Sequence, residues 1–214
     1  MLNLPFDTVG LDADEVDALD DVYKAITAKF SISPESEADP QIHKFDLINC
    51  NEDSYHHSDI SLGGVLKINH TAHECCLVFI KIRYYTTNRA SRGEGLDDYR
   101  YKAWGYVNLK KDFGRVLIRR ETFTDKVLSI IHPVELEFED DKAFSRKFYV
   151  VANDPDKAFA AMNFDFRNVI MDIKNENMII EIVNNTLIIG NNYWLDTDEI
   201  VYTAEIAAKI ASLR

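Results

Sequence analysis

Between Asp12 and Phe30 the apolar residues Val16, Leu19, Val22, Tyr23, Ile26 and Phe30 return at helical intervals, with acids and lysines filling the positions between them. That spacing lines one face of a helix. Asp12 followed by Glu15 has the order of a capping box, and Lys24 and Lys29 fall late, where a helix dipole favours positive charge. The pattern predicts a helix over residues 13 to 30, ended by the polar, proline-bearing SISPESEADP, which reads as a solvated link.

From QIHKFDLINC the period changes and strands are expected. GGVLKIN and CCLVFIKIRYYTT are rich in β-branched and aromatic residues and are joined by the short polar HTAH, as in an antiparallel pair. NRASRGEGLDD reads as a long loop. AWGYVNL and GRVLIRR are expected to pair through KKDFG, and TFTDKVLSIIH to form a short helix or irregular segment. In VELEFED, alternation sets Val134, Leu136 and Phe138 on one face and Glu135, Glu137 and Glu139 on the other, a solvated sheet face.

Phe144 and Phe148 then anchor a turn into the strand FYVVA. Asn153 or Asp154 caps a helix with Pro155 in its first turn, and Phe159 and Met162 are expected in the core. A second helical stretch carries Phe166, Val169, Ile170 and Ile173. NMIIEIV and TLIIG form a hairpin across two asparagines, and a closing helix capped by Asp196 docks Ile200, Ala204, Ala207 and Ile210 on the sheet. The fold expected is α+β, mainly antiparallel sheet with helices at both chain ends. It is read as one domain over residues 1–214, with a possible subdivision into 1–98 and 99–214.

Composition narrows the functional classes. The chain has 214 residues, 46% of them hydrophobic, enough for one sizeable core, and few Pro and Gly. The first residues lack a signal-peptide pattern, and no apolar run approaches a membrane span, so a cytoplasmic location is expected. Cys50, Cys75 and Cys76 form no disulfide framework. A net charge of -12 repels nucleic acid and anionic membranes.

From residue 103 to 192 the order of features resembles a bacterial family, domain of unknown function 3137. The likeness lies in WGYVNLKKDFGRVLI, VELEFEDDKAFSRKFYVVANDPDKA and the final NNTLIIG strand, with YHHSDISLGG ahead of them. Members of that family often carry membrane-spanning segments, which this chain lacks. The resemblance implies no reaction or ligand, so no residue role is carried across.

Two regions carry candidate chemistry. His56, His57, His70 and His73 lie within 18 residues, beside Cys75 and Cys76, and would supply imidazole ligands to a metal, or an enzyme site with Asp59 or Glu74, if the hairpin folds back. They lack the HExxH order, and adjacent cysteines in a strand point to opposite faces. The second region runs from Arg100 to Arg120. Arg100, Lys102, Lys110, Lys111, Arg115, Arg119 and Arg120 stand there against the single acid Asp112, interleaved with Tyr99, Tyr101, Trp104, Tyr106 and Phe113. That mixture suits contact with an acidic protein partner or self-association. With no phosphate loop, nucleophile elbow or cofactor signature in the chain, no cofactor is expected. A noncatalytic binding or assembly module is the leading expectation, and an enzyme or metal-binding protein using the His56–His73 region the alternative.

Overall fold

A computed structural model describes residues 4–35, 40, 42–49, 57–85, 98–120, 134–191 and 194–213. The expected link after the first helix lies partly outside these residues, as do most of NRASRGEGLDD, all of TFTDKVLSIIH, Cys50 and His56. The fold is mixed α+β, built on a large antiparallel sheet with helices near both termini.

The strands are β1 (Ile32–Pro34), β2 (His57–Ile68), β3 (Cys75–Tyr85), β4 (Asp98–Asn108), β5 (Arg115–Arg120), β6 (Val134–Glu135), β7 (Phe148–Ala152), β8 (Ile179–Val183) and β9 (Thr186–Gly190). They form one sheet in the order β1-β2-β3-β4-β9-β8-β5-β7-β6, every neighbour antiparallel. The boundary considered at residue 98 falls between β3 and β4, which pair from Cys75↔Val107 to Tyr84↔Asp98.

Helices α1 (Ala13–Lys29), α3 (Lys142–Lys147), α4 (Pro155–Ala161), α5 (Phe164–Met171) and α6 (Thr197–Ala211) bring their apolar residues to one sheet face. The capping box at Asp12 and Glu15 is present, as is the Asp196 cap of α6. Leu19, Val22 and Ile26 of α1 and Ile200, Ala204, Ala207 and Ile210 of α6 are buried there. Each isoleucine so buried contributes about 2 kcal/mol. At Gly105 of β4 a Cβ would sit 2.8 Å from Ala207 Cβ and 2.9 Å from Ile189 Cγ2, so the missing side chain lets α6 lie close against the sheet.

The other face carries Val65, Cys76, Val78, Ile80, Ile82, Trp104, Leu117, Val151, Ile179 and Ile188, covered by Phe45, Leu47 and Ile48. Those three come from the stretch expected to be a strand. It is instead a 3-10 turn (Ile42–Lys44) followed by the one-turn helix α2 (Asp46–Asn49). The backbone amides of Asp46 and Leu47 donate to the carboxylate of Glu181 at 3.1 and 2.9 Å, which holds the turn on the sheet.

Four other expectations are corrected. Ile32–Pro34, expected in a solvated link, pairs with Ile68–Leu66 at the sheet edge, where a proline removes no needed donor. β4 and β5 do not pair, because the β8–β9 hairpin inserts between them. The amides of Leu109 and Phe113 are drawn to the carbonyls of Asn185 and Asn184, so the β4–β5 connection is stapled to the hairpin turn. In VELEFED only Val134–Glu135 is strand, with Val134 exposed at the sheet edge, although Leu136 and Phe138 are buried and Glu135, Glu137 and Glu139 exposed. Phe159, expected in the core, is 43% exposed and packs edge-on against Phe138, with ring centroids 5.1 Å apart.

Candidate functional site

The histidines are distributed by the geometry of β2. His57 begins that strand, while His70 and His73 occupy the turn at its other end. Eleven extended steps separate His57 from Ile68, roughly 35 Å at the usual strand rise. His70 takes the left-handed φ of 68° that the β2–β3 turn requires. His73 Nε2 lies 3.1 Å from the Leu213 carbonyl and therefore carries the proton it donates. Among the described residues no group of three or more His, Cys, Asp or Glu side chains is placed to hold a metal ion.

Cys75 and Cys76 point to opposite sheet faces, one into each core. Burial pushes both thiols up to about 12, with the Cys76 charge adding at Cys75 and Glu74 adding at Cys76. A neutral buried thiol is a poor nucleophile and a poor ligand.

The seven bases do not form one strip. Arg100 and Lys102 stack on Trp194 on the sheet face away from the large helices, with the cations 4.7 and 5.1 Å from a ring centroid. Arg115 and Arg119 share that face several strands away. Arg115 bonds Glu181 at 2.7 Å and lies 2.8 Å from Asp46, while Arg119 sits 4.5 Å over the Tyr149 ring. Arg120 is on the opposite face, donating to the Ile173 carbonyl at 2.6 Å. Alternation along each strand, and the hairpin inserted between β4 and β5, scatter the charges.

Lys110 and Lys111 stand apart from the rest, in the β4–β5 connection. They rim a cleft of about 60 Å³ lined by Leu109, Phe113, Phe166, Ile210 and Leu213, with His73 and Asn163 at its edge. Phe113 and Phe166 are buried with ring centroids 5.2 Å apart and form an apolar floor. Phe166 is set by the α5 cap, where Asn163 Oδ1 accepts from its amide at 2.9 Å. Next to Lys111 in the chain, the exposed Asp112 accepts from the Gly114 amide and from Lys157 Nζ, each at 2.8 Å, and Gly114 takes a φ of 69°. Those bonds hold the Asp112 carboxyl below the usual carboxylate range, the Lys157 contact most strongly.

Lys111 donates to the Ala160 carbonyl at 3.0 Å, whereas Lys110 is exposed and makes no ion pair with another described residue. Among the described residues no carboxylate lines the cleft, in a protein with 36 acids against 24 bases. The site thus joins residues from both sequence regions, His73 and the lysine pair, that the chain order gave no reason to connect.

Among the buried charges that escaped the sequence reading are Glu181 and Arg167. Glu181 is fully buried, bonded by Arg115 and the α2 amides. Arg167, 4% exposed, lies 2.7 Å from Asp140 and 3.2 Å from Asp141 and donates to the Met162 carbonyl at 2.9 Å. A lone acid inside IIEIV was the visible signal for the first; a lone arginine on the apolar stripe of FRNVIM was the signal for the second. Both are fully occupied in holding elements together.

Among the described residues no helix is long and apolar enough to cross a membrane. Comparison of the chain with protein-family models, with curated proteins and with solved structures finds no match to any of them.

Proposed function

We propose that the protein is a noncatalytic binding module whose cleft beside Lys110 and Lys111 takes an acidic protein segment carrying one apolar side chain. The observation that supports this is the conjunction of an apolar floor with a basic rim that, among the described residues, holds no carboxylate. The small volume suits one inserted side chain, well below the few hundred cubic ångströms of a cofactor or drug-sized pocket. Phe113 and Phe166 would supply the desolvated contact. The lysines would favour acids on either side of the anchor and disfavour basic segments, giving selectivity and a fast encounter.

The test uses the whole chain and a fluorescein-labelled hexapeptide with one leucine between aspartates and glutamates, followed by anisotropy. Lys110→Glu is expected to weaken binding about tenfold, and replacing the peptide's leucine by serine about as much. Lys142→Glu, away from the cleft, is expected to leave affinity unchanged. Equal affinity of wild type and Lys110→Glu, at low and at high salt, would remove the cleft as the binding site.

A further inference from the structure

The cleft has a complementary projection one residue away on the same chain. Phe164, the first residue of α5, is 60% exposed and directly follows Asn163, which lines the cleft. It faces outward because the inward stripe of α5 is occupied by Phe166, Arg167 and Ile170. The Arg167 guanidinium stands 6.0 Å from its ring centroid, and an outward phenylalanine forgoes about 2 kcal/mol of burial in the isolated chain. Asp165, next to it, is exposed and makes no ion pair with another described residue. An aromatic anchor followed by an acid is the chemistry the cleft accepts.

We infer that the occupant of the cleft is a second copy of this chain, which presents Phe164 and Asp165 across a twofold axis. This rests on the cleft reading proposed above. A twofold contact uses one patch on both protomers, so projection and socket must be neighbours on the same face. Phe164 is exposed and directly follows Asn163 of the cleft lining, which keeps projection and socket close together, whereas a projection on the far side of the molecule would generate an open-ended chain. Phe164 of each protomer enters the apolar floor of the other, and Asp165 meets the Lys110–Lys111 pair across the interface. Two such contacts form together, and the charge complementarity is local in a protein whose net charge of -12 otherwise keeps copies apart.

Sedimentation equilibrium of the full chain, from about 1 µM to about 500 µM, covers the range in which a modest interface dissociates. A monomer–dimer equilibrium is expected for the wild type. Phe164→Ser and Asp165→Lys are each expected to weaken it about tenfold or more, and circular dichroism checks that these exposed-site variants stay folded. Lys110→Asp with Lys111→Asp is expected to weaken it similarly, and adding Asp165→Lys to that pair to restore it. A monomer at every concentration, with the hexapeptide still bound, would overturn self-association and leave the cleft reading standing. A dimer indifferent to Phe164→Ser and to both charge changes would overturn it as well, and loss of hexapeptide binding alone would remove the cleft reading.

Discussion

Glu181 is the most completely buried charged residue among those described, and its environment shows how one residue on a strand commits a distant segment. Its carboxylate accepts from Arg115 at 2.7 Å and from the Asp46 and Leu47 amides. Burial pushes the carboxyl up, and the Leu47 amide, Arg115 and the Asp46 amide oppose that push without cancelling it. Glu181→Gln leaves one acceptor oxygen where two are used and turns an amide NH₂ toward a donor. It is expected to lower stability by about 2 kcal/mol, read from the urea midpoint. An unchanged midpoint would mean that Phe45, Leu47 and Ile48 hold their segment to the sheet unaided. Arg167 works in the same way: by gathering Asp140, Asp141 and the Met162 carbonyl it gives two of the acids of EFEDDKAF a structural role.

Among the elements, the segment before α1 is tied across the sheet by polar bonds, most of them at Asp7, with Lys81 Nζ also donating to the Val9 carbonyl. The Asp7 amide donates to the Gly63 carbonyl, Lys81 Nζ donates to Asp7 Oδ2 at 2.9 Å, and the Tyr101 hydroxyl donates to the Asp7 carbonyl. Burial works to raise the Asp7 carboxyl, but the Lys81 bond, the Val9 amide and the Lys81 charge prevail and hold it below 3.8. Because the folded value lies below the unfolded one, the carboxylate's contribution is fully present above pH 3.8 and is lost as pH falls through the folded value. Asp7→Asn is therefore expected to reduce stability at neutral pH. Half exposure keeps the loss under about 1 kcal/mol. Thermal unfolding of both proteins from neutral to strongly acid pH checks this: the gap should close only below pH 3.8, and a constant gap would contradict the ion pair.

For the whole molecule, stability depends on both ends of the chain meeting over the middle of one sheet. Lys29 at the end of α1 pairs with Glu205 of α6, and Thr203 and Ala207 of α6 approach β4 at Gly105. Gly105→Ala puts a methyl group into a space already filled by Ala207 and Ile189. The substitution is expected to cost about 1–3 kcal/mol by overpacking, measured as a fall in Tm. A neutral or stabilising result would mean that α6 can move off the sheet without cost. The same layering leaves α4, α5 and the β4–β5 connection side by side, and that junction is the cleft.

Local chemistry was enough for much of this. The capping acids at Asp12 and Asp196, the two-asparagine turn, where Asn184 takes a φ of 59°, the β2–β3 hairpin and the opposed cysteines follow from period, propensity and turn conformation, which act over a few residues. The choice of strand neighbours did not follow: GRVLIRR is as good a partner for AWGYVNL as TLIIG is by pattern. In the fold the hairpin is the insertion between them, held by its ladders with β4 and β5 and by the bonds of Leu109 and Phe113 to Asn185 and Asn184. The site was legible only in parts. Lys110 and Lys111 were visible as charges and His73 as a candidate ligand, but their neighbours Asn163, Phe166, Ile210 and Leu213 come from segments far along the chain. Residue types are written locally, whereas a cleft is a relation between elements, and long-range packing alone decides which of them meet.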